Sequence, residues 1–222
     1  MVFLDRCDAG RQLTQHLRAL SGPEVVVLGL PRGGMPVAYE VATALGVPLD
    51  VVVIGKLTVP DRPWLVFGAV GEGAERVIDN EMVTRAAVSE PERLAVTREQ
   101  QHQLRHRVAR YRRDHARLPL AGATAMIVDD ALATGASAYA ACVNARMRGA
   151  DRVVFAVPVG GTRPLRALSR VADHVICLQS RQLFGSIGPW YVDFTPVTDL
   201  EVCVLLDRAA ENLPAPSRLP LA

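Results

Sequence analysis

Lysine is almost missing from this chain. Of its 25 basic residues only Lys56 is a lysine, and the other 24 are arginines. A coding preference explains the trend, yet an amine kept at one position draws attention to that position. Aromatic residues are also scarce, at 5% of 222 residues, so any local cluster of them stands out. The formal net charge is only +2, which gives no electrostatic case for a nucleic-acid or membrane-surface partner. No apolar run approaches the roughly 20 residues needed to span a bilayer. The N-terminus carries Asp5, Arg6 and Asp8 where a signal peptide would be apolar. The chain therefore reads as cytoplasmic. Cys7, Cys142, Cys177 and Cys203 are far apart and form no Cys-x-x-Cys pair, which favours buried reduced thiols over a metal site. His102 and His106 are spaced to share a helix face, but their polar surroundings suggest a solvated face and no third ligand.

What is present is an alternation of apolar runs and helical spacings. Glu24–Leu30 reads as a buried parallel strand, entered through Gly22-Pro23. After the break Pro31-Arg32-Gly33-Gly34, the segment Pro36–Leu45 has helical spacing and Gly46 stops it. Leu49–Ile54 follows as a second strand, and Leu65–Ile78 suggests a hairpin or excursion. Glu90–Leu118, polar and proline-free after Pro91, predicts one long helix. Strand Ala123–Val128, helix Ala136–Arg148, strand Arg152–Val159, a helix near Pro164–Val171 and strand His174–Leu178 complete the pattern. This order predicts an α/β fold with a doubly wound parallel sheet and a long inserted helix. Ligands in such sheets bind beyond the C-terminal strand ends, where the loops 31–34 and 129–137 fall. Residues 1–210 read as a single domain, and 213–222 as a Pro-rich tail or linker.

The segment Met126-Ile-Val-Asp129-Asp130-Ala-Leu-Ala133-Thr134-Gly135-Ala136-Ser137 concentrates the chemistry. A buried strand delivers two adjacent carboxylates to the sheet edge, and a short turn enters a helix. Free N–H groups at that helix start, with Gly135 permitting close backbone approach, suit a phosphate. Thr134 and Ser137 can add hydroxyl donors. The carboxylates would repel a phosphate and need a different partner, such as ribose hydroxyls or magnesium-bound groups.

This string resembles the phosphoribosyl pyrophosphate signature of the type I phosphoribosyltransferases: an apolar strand, two acidic residues, a few variable positions, then Thr-Gly and a final Thr or Ser. The likeness extends from about Phe3 to Leu206. The segments FLDRCDAGRQL, LPRGG, GAVGEG and WYVDF look like a bacterial subfamily of that family, some members of which are joined to a hydrolase-like domain. The resemblance implies that Asp129 and Asp130 serve the ribose hydroxyls, and hold Mg2+ only indirectly. It implies that Ala133, Thr134, Gly135, Ala136 and Ser137 bind the 5-phosphate. Arg32, Gly33 and Gly34 would bind pyrophosphate, in a loop often marked by unusual peptide geometry. Lys56, at the end of the second strand, is similar to a basic residue used against pyrophosphate, although Gly55 stands where a second basic residue is expected.

The implied reaction is transfer of the phosphoribosyl group to a nitrogenous base or amine with release of pyrophosphate, by a homodimer using Mg2+. The acceptor would be read by a small hood built from about 1–20 and 183–198. Phe184, Trp190, Tyr191 and Phe194 place four aromatics in eleven residues there. Phe184, Trp190, Tyr191 and Asp193 are the acceptor candidates, with base stacking and a hydrophobic plug equally open. GPWYVDF is loosely similar to purine-salvage members, but Gly160-Gly161-Thr162 replaces the lysine that reads a 6-oxopurine there. Two other classes stay open. One is a regulator of the same fold that senses phosphoribosyl pyrophosphate or a nucleotide and binds RNA or DNA. Segment 91–117 carries eight arginines against Glu92, Glu99 and Asp114, although a solvated helix or dimer contact is the commoner meaning of such a stripe. The other is a non-catalytic ligand-binding domain of a fused hydrolase.

Overall fold

The computed structural model describes residues 2–73, 75–113, 115–182 and 185–212. Helix α1 (Arg6–Leu17) leads to strand β1 (Val25–Gly29), helix α2 (Gly34–Leu45) and strand β2 (Leu49–Val51). Strands β3 (Ile54–Val59), β4 (Arg62–Gly71) and β5 (Arg76–Ile78) follow, then helices α3 (Asn80–Ala86) and α4 (Glu90–Tyr111). The second half runs β6 (Thr124–Val128), α5 (Ala136–Met147), β7 (Arg152–Gly161), α6 (Thr162–Leu168), β8 (His174–Arg181) and α7 (Asp199–Asn212).

Five strands make a parallel sheet in the order β2-β1-β6-β7-β8. Because side chains alternate across a strand, its Val-rich runs feed two cores. Val25, Val27, Met126, Val128, Val154 and Ala156 face one core with Leu13, Leu17, Val37, Val41, Val202 and Leu206 of α1, α2 and α7. Val26, Leu28, Ala125, Ile127, Val153 and Phe155 face the other, with Ala138, Ala141, Cys142 and Leu168 of α5 and α6. Each fully buried Leu or Val contributes roughly 1.5–3 kcal/mol of transfer free energy. The doubly wound sheet is the one expected from the alternation of strands and helices.

Several boundaries differ from the expectations, for identifiable reasons. The second strand ends at Val51: Val52 N–H makes the last rung of the ladder, to the Gly29 carbonyl at 3.0 Å, and the chain then leaves the parallel sheet. Ile54 instead opens a separate antiparallel sheet, β3-β4-β5, so the suspected excursion is larger than a hairpin. The long helix starts at a Ser89–Glu92 capping box, as its sequence promises, but stops at Tyr111 rather than Leu118. Arg112 leaves the helix and buries its guanidinium against Asp50, Glu72 and the Val51 carbonyl. Helix α7 is an element that the sequence reading does not contain. Its signal is the capping pair Thr198–Glu201, in which Glu201 N–H donates to Thr198 Oγ1 at 3.2 Å and Thr198 N–H to Glu201 Oε2 at 2.6 Å.

All four cysteines are free thiols, but only Cys142 is fully buried and the other three are partly exposed. Burial pushes the Cys142 thiol up to about 12. His102 and His106 share an exposed face of α4, their rings edge-on at 4.8 Å. Among the described residues no helix is long and apolar enough to cross a membrane. The tail 213–222 lies outside them.

Candidate functional site

The chain leaves β1 through α2 on one face of the sheet and leaves β6 through α5 on the other. β1 and β6 are neighbours, so their outgoing loops part at a topological switch point, where a crevice opens beyond the strand ends. Residues 31–34 flank that place on one side and 129–137 on the other, and the two touch at its base, Gly33 against Asp130 and Gly34 against Asp129.

The first wall is held tightly. Leu30 N–H donates to the Val128 carbonyl at 2.9 Å, Gly34 N–H to the Leu30 carbonyl at 3.0 Å, and the Pro31–Arg32 peptide is cis. Gly33 and Gly34 pack directly on the acidic pair. A Cβ on Gly33 would sit 2.1 Å from Asp130 Oδ2, and one on Gly34 would sit 2.8 Å from Asp129 Cα. Both distances are shorter than any side chain tolerates, which explains this glycine pair more directly than turn formation does. Arg32 is exposed at the rim, and its charge is felt by Asp199 and Tyr111 at the adjoining ends of α7 and α4.

The second wall starts with Asp129 and Asp130 at the end of β6 and runs to α5. Gly135, at φ +81°, is the residue before the helix, a conformation that L side chains rarely adopt. Ala133 and Thr134 are exposed, while Gly135, Ala136 and Ser137 are half-buried. Leu132 anchors the turn to β7: its N–H donates to the Val159 carbonyl and its carbonyl accepts from Gly161 N–H, both at 2.9 Å. The first turn of α5 therefore stands on a fixed base beside this turn, with Ala136 N–H 3.5 Å from Thr134 Oγ1, and a helix start of this kind suits an anion.

The two carboxylates differ in their surroundings. Asp129 Oδ1 accepts the Asp130 N–H at 2.9 Å. Burial, and next the adjacent Asp130 charge, raise the Asp129 pKa well above the carboxylate range, against the opposing pull of the Asp130 N–H and of Arg6. Asp130 is 8% exposed and carries a partner that the sequence reading missed. Arg6 Nε donates to Asp130 Oδ2 at 2.8 Å, Arg6 Nη1 donates to the Thr195 carbonyl at 2.8 Å, and the guanidinium lies 4.0 Å from the Phe194 ring centroid. The Tyr191 hydroxyl donates to the Asp130 carbonyl at 2.7 Å.

The two proposed hood segments do meet. Phe3 bridges Tyr191 in parallel, and Asp193 N–H donates to the Leu4 carbonyl at 2.9 Å. Tyr191 is 5% exposed, packed 5.6 Å from Phe3 and 5.1 Å from Phe194, centroid to centroid. Of the two open readings this placement favours the plug, since neither face of Tyr191 is offered to a ligand. Trp190 is half-buried with Arg181 5.3 Å from its ring centroid. Asp193 is exposed and accepts the Thr195 N–H and hydroxyl at 2.8 and 2.6 Å. Phe184 lies outside the described residues.

Lys56 is not at a strand end of the parallel sheet. It sits exposed within β3, paired with Ala69, on the separate antiparallel sheet. A cleft of about 640 Å³ runs between that sheet and helices α5 and α6, with Trp64, Ile78, Thr134 and Tyr139 in its lining. It adjoins the 5-phosphate candidate loop but not the acidic pair. Among the described residues no group of three or more His, Cys, Asp or Glu side chains could hold a metal. The chain thus offers two carboxylates at the crevice. A magnesium ion there fits only if substrate oxygens and water supply most of its shell.

The geometry has counterparts in known proteins. The family model described as phosphoribosyl transferase domain matches residues 7–193. Two Mycobacterium tuberculosis proteins, from strains H37Rv and CDC 1551, are each 50% identical over 208 residues and each carry the name "Putative phosphoribosyl transferase". Those residues are 94% of this chain but 47% of each relative, so the chain spans about half their length. The crystal structure of TT1426 from Thermus thermophilus is 40% identical, covers 93% of this chain and 98% of its own, and superposes with a TM-score of 0.86. With most of its length matched by the family model, and the acidic loop and glycine pair at its switch point, the chain belongs to the phosphoribosyl transferase domain family.

Proposed function

We propose that this domain binds phosphoribosyl pyrophosphate with Mg2+ and transfers the phosphoribosyl group to a nitrogenous base or amine. The observation that carries the reading is the packing of Gly33 and Gly34 onto Asp129 and Asp130. It supports a backbone cradle and a carboxylate pair that meet at the base of one crevice, with the N-terminus of α5 beyond. In the reaction a C1–N bond forms as the C1–O bond to pyrophosphate breaks, pyrophosphate departs with the electron pair, and the acceptor nitrogen gives up its proton to solvent or to the departing pyrophosphate. Asp129 and Asp130 accept hydrogen bonds from the ribose hydroxyls, which orients the sugar as positive charge builds on it. Ala133–Ser137 hold the 5-phosphate through backbone N–H groups and hydroxyls. Arg32, Gly33 and Gly34 hold the pyrophosphate. Lys56, exposed on β3, is the further cation assigned to the pyrophosphate. When bound, Mg2+ supplies electrostatic stabilisation of the leaving group.

The acceptor lies between the crevice and the hood segment 183–198, with Phe184, Trp190, Tyr191 and Asp193 as its candidates; of the described ones Trp190 and Asp193 are the more exposed. The test is release of pyrophosphate when phosphoribosyl pyrophosphate, Mg2+ and a panel of purine, pyrimidine and amine acceptors are supplied. Acceptor-dependent release supports transfer, and none across the panel removes it. A second reading is a binding domain serving a fused hydrolase; the matched residues are 47% of the curated relatives' length, which leaves room in those relatives for a further domain. This reading predicts ligand binding with no pyrophosphate release. The nucleic-acid reading loses ground. Of the eight arginines in 91–117, Arg110 pairs with Asp199, Arg112 with Asp50 and Glu72, and Arg117 with Glu75. Salt-dependent RNA binding at micromolar protein would restore it.

A further inference from the structure

Arg6 has no role in the reading above, yet it makes the most specific side-chain contact at the site. It is 8% exposed and comes from the first residue of α1, on the opposite end of the chain from the segment it holds. One guanidinium makes three contacts at once: Nε to Asp130 Oδ2, Nη1 to the Thr195 carbonyl, and its face over Phe194. A simple surface ion pair needs none of the last two. A buried plug needs no charge. Lysine could not reproduce the arrangement, because a single ammonium lacks the planar fork that reaches two acceptors while stacking on a ring.

The bond also divides the work of the carboxylate. Arg6 engages Oδ2, the oxygen nearest Gly33, and Oδ1 lies farther from that glycine, at 3.2 Å from its Cβ position against 2.1 Å. A ligand hydroxyl that hydrogen-bonds Oδ1 would leave the Arg6 contact in place. The Tyr191 hydroxyl on the Asp130 carbonyl holds the same residue from the backbone side. Asp130 is thus gripped by α1 and by segment 191–195 together.

We infer that Arg6 is a positioning residue that aims Asp130 at the donor ribose and latches segment 191–195 to it, coupling the acceptor side of the crevice to the donor side. The inference rests on the donor-site reading proposed above. It implies that engaging Asp130 from the crevice steadies residues 191–195, and that loosening Arg6 weakens recognition of the ribose without touching the phosphate loop.

The experiment compares the native protein with Arg6→Gln and Arg6→Lys. Calorimetry measures the affinity for phosphoribosyl pyrophosphate with Mg2+ and, separately, for inorganic phosphate. Hydrogen exchange follows the amides of 191–195 with and without ligand. Glutamine can still donate a hydrogen bond, so the fold is expected to survive, and thermal unfolding checks it. Arg6→Gln should weaken phosphoribosyl pyrophosphate binding by about tenfold or more, the scale of a lost charge-assisted hydrogen bond. Inorganic phosphate binding should stay within about twofold of native, since the loop 133–137 is untouched. Arg6→Lys should recover part of the affinity but not the slow exchange at 191–195. Equal losses for both ligands would mean a merely structural role and overturn the inference, as would native affinity and native exchange in Arg6→Gln. If the native protein binds no phosphoribosyl pyrophosphate, the donor-site reading fails by itself. Exchange in the free protein then decides the latch: faster exchange at 191–195 in Arg6→Gln supports it, and unchanged exchange overturns it.

Discussion

Gly33 lies so close to Asp130 that a Cβ at the glycine would stand 2.1 Å from the carboxylate oxygen Oδ2. The two residues follow different strands and are 97 positions apart in the sequence. Their contact is the structural reason that a backbone loop and an acidic pair share one crevice. Gly33→Ala must therefore push the loop and the carboxylate apart. It should weaken phosphoribosyl pyrophosphate binding by at least about tenfold, at a stability cost of about 1–3 kcal/mol. Calorimetric titration and urea unfolding of the same variant check both.

Asp129 carries an electrostatic penalty in the folded protein, because burial and the neighbouring Asp130 charge raise its pKa. A carboxyl whose folded pKa lies above its unfolded value favours the folded state at low pH. That contribution is lost as pH rises from the unfolded pKa through the folded one. Asp129→Asn removes the charge while its carbonyl oxygen can still accept the Asp130 N–H. It should raise stability above that window by on the order of 1 kcal/mol while abolishing ligand binding. Thermal unfolding across pH, with native and variant compared, would show the gain only on the less acidic side.

A second charge cluster lies away from the crevice and should behave in the opposite way. Arg112 is buried between Asp50, itself 2% exposed, and Glu72. Leu118 N–H also donates to Asp50 at 3.0 Å. Removing the arginine leaves a buried carboxylate without its cation, so Arg112→Met should destabilise by about 3–5 kcal/mol. The double change Arg112→Met, Asp50→Leu should recover much of that loss if the penalty is the orphaned charge. Urea denaturation of both variants checks it.

Helix α7 offers a milder test. Thr198→Ala removes the hydroxyl that caps Glu201 N–H and should cost about 1 kcal/mol. The loss would appear in unfolding, with ligand affinity unchanged.

The parts of the fold visible in the sequence are those written in neighbouring residues. The apolar, β-branched run at Val25–Leu28 reads as a buried strand, and Asp129–Ser137 holds its strand end, turn and helix start in nine positions. The Gly33–Gly34 break is visible, but its true cause, contact with Asp129 and Asp130, depends on two strands pairing. Arg6 is invisible for the same reason: its partner is 124 positions away, and an arginine near an N-terminus looks like any solvated charge. Tyr191 looks like a stacking platform because composition marks aromatics without saying which face is covered. Lys56 is misplaced by the sequence because β2 ends after Val51, and nothing in the run LDVVVI shows where one sheet hands over to another.

Calorimetric titration of phosphoribosyl pyrophosphate with Mg2+ into the native domain, and into an Asp129→Asn, Asp130→Asn double variant, bears most directly on the donor site. Saturable binding by the native protein, lost in the variant, is the predicted result, with both proteins folded by circular dichroism. Equal binding by the two proteins, or none by the native one, would contradict the assignment of the acidic pair to the donor ribose.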